Sequence, residues 1–196
     1  LQGLRRICDE HGILLVLYEV QSGMGRTGKM FASDHHDLKP DIICIAKGIG
    51  SGLPIGATVA RASLMDWKPG AHASTFGGNP VCIAAALKTI ELLEGGLVKN
   101  SAEVGAYLKG KLEELMQKYD CIGDVRGLGM MIGVEFVTDK QTNTPSPEIR
   151  DRVEVACFER GLIILGAGTN TIRWSPPLIL TKENVDVAIE IFDQAI

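Results

Sequence analysis

The sequence predicts an α/β protein, and two short apolar runs carry most of that prediction. ILLVLYEV at 13–20 and DIICIA at 41–46 are each followed by a glycine-rich stretch, as is typical of buried strands in a parallel sheet. Up to residue 120, strands such as these alternate with helical stretches. This order predicts a mostly parallel sheet covered by helices over residues 1–120.

Residues 121–196 have a different order and predict a small α+β unit. DVRGLGMMIGVEFV at 124–137 predicts one strand with a glycine-punctuated start, and LIILGAG and TIRWSPPLIL predict two more. Amphipathic helices are predicted at 148–160 and at the end of the chain. We therefore place a domain boundary after residue 120.

Composition limits the classes of function. Apolar residues make up 45% of the 196 residues, which is enough for a core, and the basic residues are scattered over a chain of net charge −4. Neither a nucleic-acid partner nor a membrane is expected, since no apolar run approaches the roughly 18 residues of a membrane span. The five cysteines lack metal-ligand spacing, so we expect reduced thiols, no metal site and a cytoplasmic protein.

Both ends of the chain lie within amphipathic patterns, LQGLRRICDEHG at the start and ENVDVAIEIFDQAI at the close. Domains more often end in polar, frayed segments. We therefore expect a fragment of a longer protein, with a slightly truncated final domain.

A glycine pattern directly after the first strand imitates a nucleotide-binding loop. Gly23, Gly25 and Gly28 spell G-x-G-x-x-G, and Lys29 follows. A phosphate-binding P-loop needs Ser or Thr after its lysine, but Met30 stands there. A dinucleotide site needs a helix straight after the loop and an acidic residue about 20 positions on. Residues 30–37 could form only a short helix before the next strand comes, and Lys47 and glycines stand about 20 positions on. These glycines therefore indicate a tight loop.

Lys47 is the most informative single residue. It ends an apolar strand and adjoins glycines, whereas most lysines are solvated surface residues. Burial there would disfavour its ammonium form and leave an amine able to attack an aldehyde. Ligands of open α/β sheets bind at the carboxyl ends of the strands, where Lys47 lies.

Four motifs stand in an order and spacing that resemble class-III aminotransferases, which are fold-type-I enzymes dependent on pyridoxal 5'-phosphate (PLP). They are EVQSGMGRTG at 19–28, DIICIAKGIGSGLPIGA at 41–57, STFGGNP at 74–80 and IRWSPPL at 172–178. The resemblance covers the whole chain and is greatest to 4-aminobutyrate aminotransferases; some archaeal amino-acid racemases are similar too. It implies the C-terminal half of such an enzyme: part of the PLP-binding large domain, then the small C-terminal domain.

The resemblance also implies roles for individual residues. Lys47 would bind the cofactor covalently and later move a proton at the substrate carbon. Gln21 would hydrogen-bond the phenolic oxygen of the cofactor, and Val20 would pack against its ring. Thr75, with Ser74 beside it, would bind the phosphate across a dimer interface, although helix capping would account for these two hydroxyls equally well.

Arg173 matches the family arginine that holds the substrate carboxylate. It lies between apolar Ile172 and Trp174, and a guanidinium pairs well with a carboxylate. The other interpretation is an ordinary surface charge on a strand.

Tyr18 departs from the family pattern. The family has an aspartate at this position, which pairs with the ring nitrogen of the cofactor and keeps it protonated. The motifs therefore support common ancestry more strongly than they support activity.

The resulting hypothesis is transamination between an amine or amino acid and a 2-oxo acid such as 2-oxoglutarate, by a cytosolic homodimer with shared active sites. Racemisation of amino acids is a second enzymatic possibility on the same cofactor. The third is an inactive or merely cofactor-binding piece, since Tyr18 replaces the aspartate and the N-terminal half is absent.

Overall fold

A computed structural model describes residues 1–196, which form two compact units, Leu1–Val98 and Lys99–Ile196. The helices and strands of the first unit are α1 (Gln2–His11), β1 (Val16–Tyr18), β2 (Ile42–Ile45), β3 (Ala57–Ala60) and α2 (Pro80–Leu92). Those that follow are α3 (Val98–Lys118), β4 (Ile122–Leu128), β5 (Met131–Asp139), β6 (Thr144–Pro145), α4 (Pro147–Glu159), β7 (Leu165–Ala167), β8 (Thr171–Trp174) and α5 (Lys182–Ala195). None of the helices is both long and apolar enough to cross a bilayer.

The sheet of the first unit has the strand order β1-β2-β3. β1 and β2 are parallel, with Tyr18 opposite Cys44, but β3 is antiparallel to β2. The sheet, predicted to be mostly parallel, is therefore a three-stranded mixed one. The connection from Ile45 to Ala57 contains only a short 3-10 turn, and a parallel crossover needs a dozen or more residues.

The second unit contains an antiparallel sheet in the order β4-β5-β8-β7, with the short β6 beside β5. The segment predicted as one strand over 124–137 is part of a hairpin. The pairing of β4 with β5 runs from Ile122 opposite Phe136 to Leu128 opposite Met131. Gly129 has a φ of 55° and lets the chain reverse between the two strands.

The large hydrophobic core cluster lies wholly in the second unit. Leu108 and Leu112 of α3 are almost fully buried in it, together with Phe136 of β5. Phe192 of α5 contacts Trp174 edge to face, with ring centroids 5.1 Å apart. Because α3 contributes to this core, the units divide at Val98/Lys99, earlier than the predicted boundary after residue 120.

The first unit covers its apolar side chains far less completely. No residue of α1 is buried, and Leu4 and Ile7 on its apolar face are 53% and 47% exposed. Leu87 on α2 is 64% exposed. Exposed apolar faces on consecutive elements are typical of surfaces that other protein segments cover.

Asp41 links three segments of the first unit. It is buried directly before β2, and its carboxylate accepts hydrogen bonds from the Leu15 backbone N–H at 2.7 Å and from Arg5 of α1 at 2.8 Å. Arg61, which follows β3, also contacts it. The Leu15 N–H and the Arg5 guanidinium lower the pKa of Asp41 below its usual value.

This lowered pKa predicts an acid-sensitive first unit. A carboxyl group whose pKa is lowered by folding stabilises the native state above its unfolded pKa, and that contribution is lost as the pH falls through the folded pKa. Between about pH 5 and pH 2 the urea midpoint should therefore fall less steeply for Asp41→Asn than for the unmodified chain. Asp66→Asn, at an exposed aspartate, is the control and should follow the unmodified chain. Parallel curves for all three proteins would contradict the prediction.

Candidate active site

The parallel pairing of β1 and β2 brings two of the motifs to one edge of the sheet. The last paired residues are Tyr18 and Cys44, and Gln21 and Lys47 each lie three residues beyond them. The Glu19 N–H continues the ladder by donating to the Cys44 carbonyl at 2.9 Å. Gln21, predicted to hydrogen-bond the phenolic oxygen of the cofactor, and Lys47, predicted to bind its aldehyde, therefore follow neighbouring strands at the same edge of the sheet.

Lys47 occupies an unusual backbone conformation. Ala46 is still extended, but Lys47 opens a 3-10 turn, Lys47–Gly50, with a φ of 47°. A non-glycine residue in this left-handed region costs about 1–2 kcal/mol, and such strain often occurs at functional sites. The turn also directs the lysine side chain outward, so Lys47 is exposed and differs from the desolvated position that its sequence context predicts.

Glycines let the loops at this edge approach closely. A Cβ at Gly48 would lie 3.2 Å from the Cβ of Met24, so the turn after β2 contacts the loop after β1. A Cβ at Gly23 would lie 2.7 Å from the Glu19 carbonyl oxygen. The chain then makes only the 3-10 turn Ala32–His36, not the helix that a dinucleotide-binding loop requires.

Glu19 is a buried acid that sequence reasoning did not single out. Its side chain accepts hydrogen bonds from the Ser22 hydroxyl at 2.5 Å, the Ala32 N–H at 3.2 Å and the Ser33 N–H at 2.9 Å. The residue is only 4% exposed. The sequence does contain a signal for this residue, since Glu19 is an acid within an otherwise apolar run. A buried acid is almost always paired, so such a residue indicates hydrogen-bond or charged partners nearby.

Tyr18 lies on the other face of the strand and is 74% exposed. The carboxylate of Glu19 is occupied on the inner face and cannot take the place of the missing aspartate. Val20, predicted to pack against the cofactor ring, is half-buried, and Gln21 is exposed. The edge therefore presents an amine and an amide, with a phenol at the position where the family has a carboxylate.

Ser74 and Thr75 lie in an exposed loop before α2. Ser74 Oγ accepts a hydrogen bond from the Gly77 N–H at 3.1 Å. The cap of α2 is Asn79, whose side chain accepts from the N–H groups of residues 81 and 82, so helix capping does not explain Ser74 and Thr75. α2 itself packs against the turn that contains Lys47, and its Thr89 hydroxyl is 2.8 Å from that of Ser51.

Arg173 belongs to the second unit, where it is the third residue of β8 and pairs with Leu165 of β7. It is half-buried, which distinguishes it from an ordinary surface charge. Together with Trp174, Pro176 and Leu180 it lines a largely apolar cavity of about 480 Å³. An arginine in such surroundings suits a ligand that carries a carboxylate.

The profile of the class-III aminotransferases matches residues 1–196. The chain belongs to this family. An alanine/serine racemase of Pyrococcus horikoshii is 45% identical over 98% of this chain and 41% of its own length. An acetylornithine aminotransferase of Caldanaerobacter subterraneus subsp. tengcongensis is 39% identical over 100% of this chain and 48% of its own length.

Solved structures agree with the family. An amine transaminase from an uncultivated Pseudomonas species, in its PLP-bound internal aldimine form, superposes with a TM-score of 0.92 at 36% identity, covering 98% of this chain and 46% of that one. The class-III aminotransferase chain is thus an α/β protein with the fold of PLP-dependent transaminases. It spans less than half the length of these relatives.

The family implies PLP as the cofactor, and the candidate residues at the sheet edge and in the loop before α2 fit it in part. An amine at Lys47, an amide at Gln21 and hydroxyls at Ser74 and Thr75 suit an aldehyde, a phenolic oxygen and a phosphate. The ring nitrogen is the exception. In place of a carboxylate the strand offers the neutral phenol of Tyr18, which does not favour a protonated nitrogen.

Proposed function

We propose that this chain is the C-terminal half of a PLP-dependent aminotransferase that moves an amino group from an amine or amino acid to a 2-oxo acid such as 2-oxoglutarate. The observation that carries the proposal is the position of Lys47 and Gln21 at one edge of the parallel strand pair. The relatives, about twice as long, and the exposed apolar faces of the first unit support its assignment as half of an enzyme.

Each proposed residue has a physical role. PLP, when bound, supplies an aldehyde that condenses with amines and a ring that delocalises negative charge. Lys47 Nζ would take the aldehyde and later hold the proton that leaves or returns to the substrate carbon. Gln21 would donate to the phenolic oxygen, and Val20 would limit ring movement on one face. Arg173 would bind the substrate carboxylate through its planar guanidinium fork.

The proposed phosphate site would be shared between the two protomers of a homodimer, as the family resemblance implies. Ser74 and Thr75 are exposed in a loop, and neither caps α2, so both hydroxyls are accessible to a group on another protomer. A cytosolic homodimer with shared active sites is accordingly part of the proposal. Within the aminotransferases we propose a donor that resembles 4-aminobutyrate, on the motif resemblance.

Racemisation of amino acids is the second candidate function. It is favoured by the Pyrococcus horikoshii relative, which is named an alanine/serine racemase and is 45% identical. Racemisation would use Lys47 as a proton carrier at the same substrate carbon and Arg173 as the carboxylate clamp. Product analysis separates the two reactions, because only transamination converts the amino acid to its oxo acid.

A chain that only binds the cofactor is the third candidate, and Tyr18 is the observation that favours it. A neutral phenol would leave Lys47 able to condense with an aldehyde while weakening the charge delocalisation that later proton transfer needs. On this candidate, PLP binding persists without turnover.

The proposal predicts that PLP reacts with Lys47. After incubation with PLP and reduction with borohydride, peptide mass mapping should find the label on Lys47, because Lys47 and Gln21 follow paired strands at the same sheet edge. Lys47→Met should abolish this label. Lys29→Met, at an exposed lysine in the neighbouring loop, is the matched control and should retain it. Label found mainly on other lysines would remove Lys47 from the site.

A further inference from the structure

We infer that Glu19 is a positioning residue for the cofactor edge, a role that rests on the proposed PLP site. Glu19 lies between Tyr18 and Gln21, yet its carboxylate is turned away from that edge and buried. It would not touch the cofactor. It would fix the direction in which its neighbours project.

Every polar group of Glu19 has a partner, and the partners belong to different segments. The backbone N–H donates to the Cys44 carbonyl of β2, and the carbonyl accepts from the Gly23 N–H at 3.0 Å. The carboxylate accepts from Ser22 and from the N–H groups of Ala32 and Ser33. One residue thus joins the strand end to β2, to the glycine loop and to the 3-10 turn after it.

This arrangement determines which face each neighbour occupies. Side chains alternate along a strand, so an inward Glu19 directly after β1 places Tyr18 on the opposite face. A slip of one residue would reverse every side chain. β1 has only three residues and would resist such a slip weakly by itself. The Glu19 contacts supply the missing constraint at the end nearest Gln21 and Lys47.

Glu19→Gln tests the role with a nearly unchanged shape. A carboxylate offers acceptors to all three donors, whereas an amide presents its own NH₂ to at least one of them, and two donors repel. The strand end should therefore lose its fixed direction. Asp41→Asn is the matched control: Asp41 is also 4% exposed and bonded to several segments, but it precedes β2 at the opposite end of the parallel strands.

Three measurements on the whole chain separate positioning from general stability. The urea midpoint should fall for both variants. The apparent Kd for PLP, followed by absorbance, should rise about tenfold or more only in Glu19→Gln, with borohydride label spreading from Lys47 to other lysines. The third measurement is the rate at which tetranitromethane nitrates Tyr18, which needs no PLP. Relative to the nitration rates of the half-buried Tyr107 and Tyr119, this rate should change only in Glu19→Gln.

The outcomes distinguish this inference from the proposed function. An unchanged Tyr18 nitration rate in Glu19→Gln overturns the positioning role whether or not PLP binds. Equal changes of Tyr18 nitration in Asp41→Asn also overturn it, because Glu19 would then act only through stability. If the unmodified chain does not bind PLP, the proposed PLP site is overturned. If Tyr18 nitration is then still altered only in Glu19→Gln, the role of Glu19 in positioning the strand end stands.

Discussion

Gly105→Ala should destabilise the second unit by about 3 kcal/mol. Gly105 is buried in α3, where a Cβ would lie 2.2 Å from the backbone carbon and oxygen of Gly129 in the β4–β5 turn. A flexible side chain could move aside, but backbone in a tight hairpin can do so only by displacing the helix from the core. The overlap therefore outweighs the gain of up to about 1 kcal/mol that alanine normally brings to a helix interior.

Gly110→Ala is the matched control in the same helix. A Cβ at Gly110 would meet nothing within 4 Å, so the substitution should stabilise the unit by about 0.5–1 kcal/mol. Urea unfolding can be followed through Trp174 in a Trp67→Phe background, since Trp174 is buried in the second unit and the chain has two tryptophans. Equal effects of the two alanines would show that α3 does not approach the hairpin as closely as described.

Tyr18→Asp should raise the rate of amine transfer about tenfold or more. A carboxylate pairs with a protonated ring nitrogen by charge, whereas a phenol is neutral at pH 7 and offers at most a neutral hydrogen bond. A charge-assisted bond is roughly twice as strong as a neutral one, and about 1.4 kcal/mol corresponds to a factor of ten. Leu17→Ala is combined with it, because the resembling family motif has alanine before its aspartate where this chain has Leu17.

A chimera provides the full-length context for this measurement. It joins this chain to the upstream half of the Caldanaerobacter acetylornithine aminotransferase. That enzyme aligns with the whole of this chain over 48% of its own length. Borohydride labelling of Lys47 should be similar in the chimera that keeps Tyr18 and in its Tyr18→Asp variant, so that only turnover separates them. Equal turnover for both would mean that the ring nitrogen has another partner and that Tyr18 does not limit the reaction.

Local patterns predict the elements of this fold better than their pairing. The apolar runs identify β1 and β2 because each run ends at a glycine-rich loop. The antiparallel direction of β3 follows from the short connection after β2, which the apolar runs themselves do not reveal. The β4–β5 hairpin reads as one strand in the sequence because Gly129 resembles part of a glycine-rich strand start.

The candidate site shows the same division between local and long-range information. Motif spacing locates Lys47 and Gln21, and the parallel pairing of their strands places both at one edge. Exposure of Lys47 was not predictable, because it follows from a single left-handed residue after an apolar strand. The role of Glu19 depends on donors thirteen and fourteen residues away, Ala32 and Ser33, which become neighbours only in the fold.

The left-handed conformation of Lys47 also sets an energetic cost for a lysine at this position. Glycine or asparagine would occupy this backbone position at lower energy than lysine does. Lys47→Gly would therefore relieve the backbone strain and remove the amine in one change, so folding stability and reaction with an aldehyde should move in opposite directions.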